Sequence, residues 1–140
     1  GQVYAFGASS ISQLDSAYSQ NIKNAAQYIN SIEKNNLAVL RGYSVNKEQK
    51  IVRDVINSIM CNYYLDLNEI SRKNNCSIEK VIDVIDFNPS KFEDFVNDNL
   101  LRIEDSKLFV FEKGRLFTRN IAMRFDPLIN QKVGTYSNTI

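Results

Sequence analysis

"LLRIEDSKLFVFEKGRLFTRNIAMRFD" (residues 100–126) opens with apolar and polar residues alternating on either side of Asp105-Ser106. Alternation around a polar pair is the pattern of a two-stranded hairpin, here Leu100 to Phe111. Gly114 reads as its end. From Arg115 to Phe125 the apolar residues Leu116, Phe117, Ile121 and Phe125 switch to helical spacing, and Asp126-Pro127 closes that helix. A hairpin this small is not stable alone in water, so helices from elsewhere in the chain must cover its apolar face.

Those helices are legible upstream. Between Lys47 and Asn62, the residues Ile51, Val52, Val55, Ile56 and Ile59 fall within an arc of about 140°, the width of a core-facing stripe. Arg53, Asp54, Asn57 and Cys61 are then predicted on the opposite side. Asp66 with Glu69 has capping-box spacing ahead of a short helix carrying Leu67 and Ile70. Ser77 is placed to cap a helix with Ile78, Val81, Ile82 and Ile85. Pro89 stops that helix, and Ser90 with Glu93 makes a second capping box. Helix, helix, helix, hairpin, helix is the order of a winged-helix arrangement. The fold expected for residues 21–140 is therefore mainly α with a small β-hairpin, winged-helix-like, ending in a tail of about a dozen residues.

The amino-terminal part reads differently. "QVYAFGASSIS" (residues 2–12) suggests a short strand breaking at Gly7. A turn there either changes direction or brings backbone amides close to a ligand. No GxGxxG or GxxxxGK[ST] occurs to favour the second option. A helix is predicted from Asn21 to Asn35 on the stripe Ile22, Ala25, Ala26, Ile29 and Ile32. "LAVLRGYSV" (residues 37–45) should be extended or irregular, with Gly42 as a breaker.

Composition bounds the chemistry. The chain has 140 residues, 44% hydrophobic and 24% charged, which is one ordinary soluble domain's worth. No apolar run approaches the roughly 20 residues that cross a bilayer, and no signal peptide opens the chain. With 17 basic and 16 acidic residues the net charge is +1, giving no chain-wide attraction to nucleic acid or an anionic membrane. Two cysteines, Cys61 and Cys76, form no disulfide framework, so a reducing cytoplasm is expected. An opening on Gly1 rather than methionine is read as the start of a piece of a longer protein.

With no histidine, Ser-His and Cys-His nucleophiles are excluded, and the two cysteines match no common metal-ligand spacing. Both are expected to be inert packing residues. The acidic residues cluster at helix starts, where capping accounts for them. No complete active site, and no catalytic or metal-binding residue, is expected here. A DNA-reading winged helix would use Ser77 to Ile85, "SIEKVIDVI", whose one lysine and two acids repel phosphate. Arg115, Arg119 and Arg124 are a local basic group, to be read as a solvated helix face or as an anion contact.

Several stretches together resemble one family. "AFGASSIS" (Ala5 to Ser12), "YSQN" (Tyr18 to Asn21), "LRGY" (Leu40 to Tyr43), "RDVI" (Arg53 to Ile56), "MCNYYLDL" (Met60 to Leu67), "GRLFTRNIAMRFD" (Gly114 to Asp126) and "YSNTI" (Tyr136 to Ile140) occur collinearly. In that order and spacing they resemble the C-terminal region of the oxygen-independent coproporphyrinogen III oxidases, radical S-adenosylmethionine enzymes of heme biosynthesis. The fit is weaker between Asn74 and Phe111.

The resemblance implies that residues 1–20 are the terminal segment of a radical SAM barrel and residues 21–140 an accessory domain covering the active site. It also implies a parent that uses S-adenosylmethionine and a [4Fe-4S] cluster on a CxxxCxxC motif. That parent removes a β-hydrogen from each of two propionates of coproporphyrinogen III, and loss of carbon dioxide and an electron leaves vinyl groups. Lacking the motif, this stretch should bind no cluster and be inactive alone. Ile11 aligns with the family isoleucine that contacts S-adenosylmethionine, while core packing is an equal reading of it. Arg119 is expected to face the barrel or the substrate propionates, as guanidinium pairs well with carboxylate. The side of the Lys47 to Asn62 helix bearing Arg53 and Asp54 is a second expected docking face. The expected partners are the barrel of the same chain and, in the parent, coproporphyrinogen III, with no nucleic acid and no membrane. Two rivals remain: a related heme chaperone of the same superfamily, and a DNA-binding winged helix.

Overall fold

A computed structural model describes residues 2–127 and divides the chain into two compact units, Gly1–Asn46 and Lys47–Ile140. The expected tail and the terminal "YSNTI" lie outside the described residues.

The first unit contains β1 (Ile11–Gln13), β2 (Ala17–Asn21), α1 (Ala25–Glu33) and β3 (Val39–Ser44). The strands form an antiparallel sheet in the order β1-β2-β3. The boundary expected after residue 20 falls inside β2. That strand pairs with β1 on one side and β3 on the other. The strand expected before Gly7 is reduced to a single bridge between Val3 and Gln13. Gly42 is no breaker; it pairs with Ser19 in the middle of β3. Helix α1 is shorter than predicted because Asn24 caps it, accepting from the Gln27 amide, and Asn35 at φ 56° turns the chain away. Its apolar stripe stays out of any core, with Ile29 55% and Ile32 47% exposed.

The second unit holds α2 (Lys47–Asn62), β4 (Tyr64–Asp66), α3 (Leu67–Asn74), α4 (Ile78–Val84), α5 (Glu93–Asn97), β5 (Leu101–Glu104), β6 (Lys107–Val110) and α6 (Thr118–Met123). Single 3-10 turns, Pro89–Phe92 and Lys113–Phe117, lead into α5 and α6. Helix α2 has the predicted ends and buries Ile51, Val55 and Ile59. The hairpin turns at Asp105-Ser106 as read, with Glu104 opposite Lys107 and Asp105 at φ 51°. Sequence reading missed β4, three residues between two helices, which makes the sheet three-stranded in the order β4-β6-β5. The core joins helix and sheet side chains, among them Val55, Leu65, Val81, Leu108 and Ile121. Phe87, Phe92 and Phe125 cluster within it, the Phe92 and Phe125 centroids 4.9 Å apart.

Local chemistry explains most boundaries. Asp66 caps α3 through the Asn68 amide at 2.8 Å, and Ser77 caps α4 through the Lys80 amide at 3.2 Å. The second expected capping box is replaced: Asn88 accepts from the Ser90 amide at 3.0 Å, with Pro89 in the first helical position. Gly114 does not terminate the hairpin. It is buried, and a β-carbon there would stand 2.0 Å from the Leu100 carbonyl oxygen, so glycine permits a close backbone approach. The predicted helix from Arg115 is α-helical only from Thr118. Leu116, in the 3-10 turn, is 88% exposed and does not join Ile121 and Phe125 in the core.

Asp54 corrects another expectation. It is buried, because Lys73 Nζ at 2.8 Å and Asn74 Nδ2 at 3.0 Å bind its carboxylate and tie α2 to α3. No helix among the described residues is long and apolar enough to cross a membrane.

Candidate functional site

The glycine-serine stretch forms a tight turn in the first unit. Gly7 adopts φ 98°, a region L side chains rarely enter, and Ser9 follows at φ 62°. Nothing lies within 4 Å of a β-carbon built on Gly7, so conformation and not space calls for glycine. Both backbone groups of Gly7 are gripped. Its N–H donates to the Tyr28 hydroxyl of α1 at 3.1 Å. Its carbonyl accepts from Ser10 Oγ at 2.7 Å and from Asn21 Nδ2 at 3.0 Å. The Asn21 amide also reaches Ser10 Oγ at 3.2 Å and the Ala5 carbonyl at 3.4 Å. The Ala5 amide donates to Ser12 Oγ at 3.0 Å, and the Ser9 amide to the Ile22 carbonyl at 2.9 Å.

The turn delivers Ile11 at the start of β1, 55% exposed. Register sets Ile11 opposite Gln20 and Gln20 opposite Arg41, and in the next row Tyr18 opposite Tyr43. Directly paired residues share a sheet face. Arg41 Nε donates to Gln20 Oε1 at 2.9 Å, and Gln20 Nε2 to the Ser9 carbonyl at 3.3 Å. A concavity of about 470 Å³ lies on this face, lined by Ile11, Tyr18, Ser19, Gln20, Arg41, Gly42 and Tyr43. Its contents suit a ligand with an apolar face and an acceptor for guanidinium.

Sequence reasoning named Ile11 but passed over Asn21, Tyr28 and Arg41 as site residues. Asn21 and Arg41 stand in "YSQN" and "LRGY", while Tyr28 interrupts an otherwise aliphatic stripe. Those were the signals available.

In the second unit the three arginines part company. The Arg115 guanidinium lies over the Tyr63 ring at 4.6 Å. Arg124 lies over Phe95 at 5.0 Å, binds Asp94 at 2.7 Å and donates to the Lys91 carbonyl. Arg119 is exposed on α6. Lys80, the cation of the expected recognition helix, binds Glu48 at 2.7 Å, and that hydrogen bond with its attendant charge raises the ammonium pKa. Arg53 is half-buried on α2. Cys61 is exposed at the end of α2, in keeping with its expected place away from the apolar stripe but not with a packing role, whereas half-buried Cys76 does contact the core. Among the described residues no three of His, Cys, Asp and Glu converge to hold a metal ion.

Asp66 and Tyr64 form a small polar knot beside the sheet. Burial works to raise the Asp66 carboxyl. Hydrogen bonds from Asn68, the charge of the nearby Lys107 ammonium and a hydrogen bond from the Glu69 amide outweigh it and hold the carboxyl below its ordinary value. Partial burial, then the nearby Asp66 charge, push the Tyr64 phenol up.

No family model matches the chain. The oxygen-independent coproporphyrinogen III oxidase of Escherichia coli (strain K12) is 32% identical over 126 residues, 90% of this chain. That of Bradyrhizobium diazoefficiens is 29% identical over 96% of the chain, and that of Thermostichus vulcanus 31% over 96%. A solved Escherichia coli coproporphyrinogen III oxidase, described as a radical SAM enzyme, superimposes with a TM-score of 0.72 at 30% identity over 91% of the chain. This chain is similar to part of the oxygen-independent coproporphyrinogen III oxidases. It spans 27%, 29% and 41% of the three relatives, and 29% of the solved oxidase. Sequence and fold thus agree across both units.

Proposed function

We propose that the chain is the C-terminal part of a cytoplasmic oxygen-independent coproporphyrinogen III oxidase. In this reading the first unit completes the margin of the radical SAM barrel, with the boundary after Asn46, and the second is the accessory domain that covers and shapes the active site. The observation that carries the reading is agreement over nine-tenths of the chain between a 30% identity and a TM-score of 0.72. For the second unit, the order α2, β4, α3, α4, α5, β5, β6 with sheet order β4-β6-β5 supports a winged-helix arrangement, its hairpin serving as the wing.

The described residues do not fit an iron–sulfur cluster, having no converging thiolates. They do fit one edge of S-adenosylmethionine: Ile11 offers an exposed aliphatic face that an adenosyl group can cover. The cofactor supplies the hydrogen-abstracting radical chemistry when bound; protein groups supply position and exclusion of water. Ile11 is assigned that packing role, and exposed Arg119 a contact with the barrel or with substrate propionates.

A chimaera tests this. Replacing the matching quarter of the Escherichia coli enzyme with this chain should preserve anaerobic conversion of coproporphyrinogen III to protoporphyrinogen IX, and deleting the quarter should abolish it. A folded, cluster-loaded chimaera that binds neither S-adenosylmethionine nor substrate would overturn the reading. In the active chimaera, Arg119→Ala should raise the KM for substrate without lowering the yield of folded protein.

A further inference from the structure

The turn at Gly7 is held with more polar contacts than a change of direction needs. Its two flanks already meet through the Val3–Gln13 bridge, and the Ser9 amide already ties the turn to Ile22 after β2. Yet two side chains from later elements also close on its apex, Asn21 from the end of β2 and Tyr28 from the middle of α1. They grip the two backbone polar groups of one residue: the hydroxyl accepts from Gly7 N–H, and the amide donates to Gly7 C=O. The Asn21 amide nitrogen also lies within hydrogen-bond distance of Ser10 Oγ, which itself donates to the same carbonyl. All three groups are only half-buried, so water competes for every one of these bonds. The residue after this knot is Ile11.

We infer that Asn21 and Tyr28 are positioning residues, a two-sided clamp on the Gly7 turn that fixes where β1 begins and hence where Ile11 meets the adenosyl end of its ligand. The inference rests on the ligand contact proposed for Ile11 and extends it to residues that touch no ligand. Without the clamp, Ser9, a non-glycine residue at positive φ, relaxes toward more populated backbone regions, and Gly7 is free to follow it. Ile11 then shifts while the sheet, held by its own ladder, stays paired. The expected defect is one of ligand affinity more than of stability.

Two measurements decide it. On the chain itself, Tyr28→Phe should speed amide exchange at Gly7 about fivefold to tenfold, the effect of losing one such hydrogen bond. Asn21→Asp, which keeps the shape but removes the donor, should do the same at Gly7 and Ser9 and leave the amides of β2 and β3 unchanged. Unchanged exchange in both variants overturns the clamp. In the chimaera, equilibrium binding of S-adenosylmethionine should weaken about as much for Asn21→Asp as for Ile11→Ala, with the KM for porphyrinogen unmoved. If Ile11→Ala weakens binding and Asn21→Asp does not, the positioning role is overturned while the ligand contact stands. If Ile11→Ala itself has no effect, the proposed ligand contact falls, and the exchange arm alone decides whether the clamp exists.

Discussion

The two units are built on different terms. In the second, sixteen hydrophobic residues among those described bury into one cluster between helices and a three-stranded sheet. In the first, Ala38 is the buried hydrophobic residue among those described, while Phe6, Leu37 and Leu40 stand largely exposed. What order the first unit has comes from strand ladders and from side chains bonded to backbone, at Asn21, Tyr28 and Ser12. A unit with a packed core resists local opening as a whole. One held by exchangeable hydrogen bonds opens piecewise. The comparison therefore predicts that substitutions act globally in the second unit and locally in the first.

The strongest attempt to break that contrast is Phe92→Ala. Phe92 is fully buried against Phe87 and Phe125, and its removal should cost the second unit about 3–5 kcal/mol, read as a lower urea midpoint. If amides of β1 and β2 lose the same protection, the two regions do not behave as separate units. Gly114→Ala should follow at roughly 1–3 kcal/mol, since its methyl group would meet the Leu100 carbonyl and the backbone must move. Ser77→Ala removes one cap and should cost about 1 kcal/mol by the same measurement.

Acid provides a finer test. The folded Asp66 carboxyl lies below its unfolded value, so its contribution is fully present above about pH 4 and drains away as pH falls through the depressed value. Asp66→Asn should flatten that acid limb of the second unit's stability curve; an unchanged limb would show that Asp66 does not supply it. Smallest of all, Leu37→Ser should shift stability by no more than about 0.5 kcal/mol, because the side chain is 89% exposed. A larger loss would mean that Leu37 is packed in solution, and the contrast would need redrawing.

Much of the second unit was legible because its signals are periodic or chemical. The α2 stripe, the Ser77 cap and the Asp105-Ser106 turn each follow from a local rule, and each stands where read. The misses share a cause: they depend on partners distant in sequence. Asp54 looked solvent-facing until Lys73 and Asn74 supplied its counter-charge and donor. Gly114 looked like punctuation, because the close approach of Leu100 leaves no mark in its neighbours. Strand β4 is too short for alternation to register, and it exists because β6 offers it an edge. In the first unit Gly7 was recognisable as a turn, but nothing adjacent to it announces Asn21 and Tyr28 as the groups that hold it.

The place of β6 between β4 and β5 also bears on how the polypeptide is made. Tyr64 pairs with Phe109 and Asp66 with Lys107, so the segment leaving the ribosome first must wait for one synthesised much later. Until Val110 has followed it out, a nascent chain can wind α2, α3 and α4 yet leave the edge of β4 open and Leu65 without its cover. Translational stalling within that interval would present a sticky strand to chaperones or to neighbouring nascent chains, and synonymous codon choice between the two strands becomes a lever on yield.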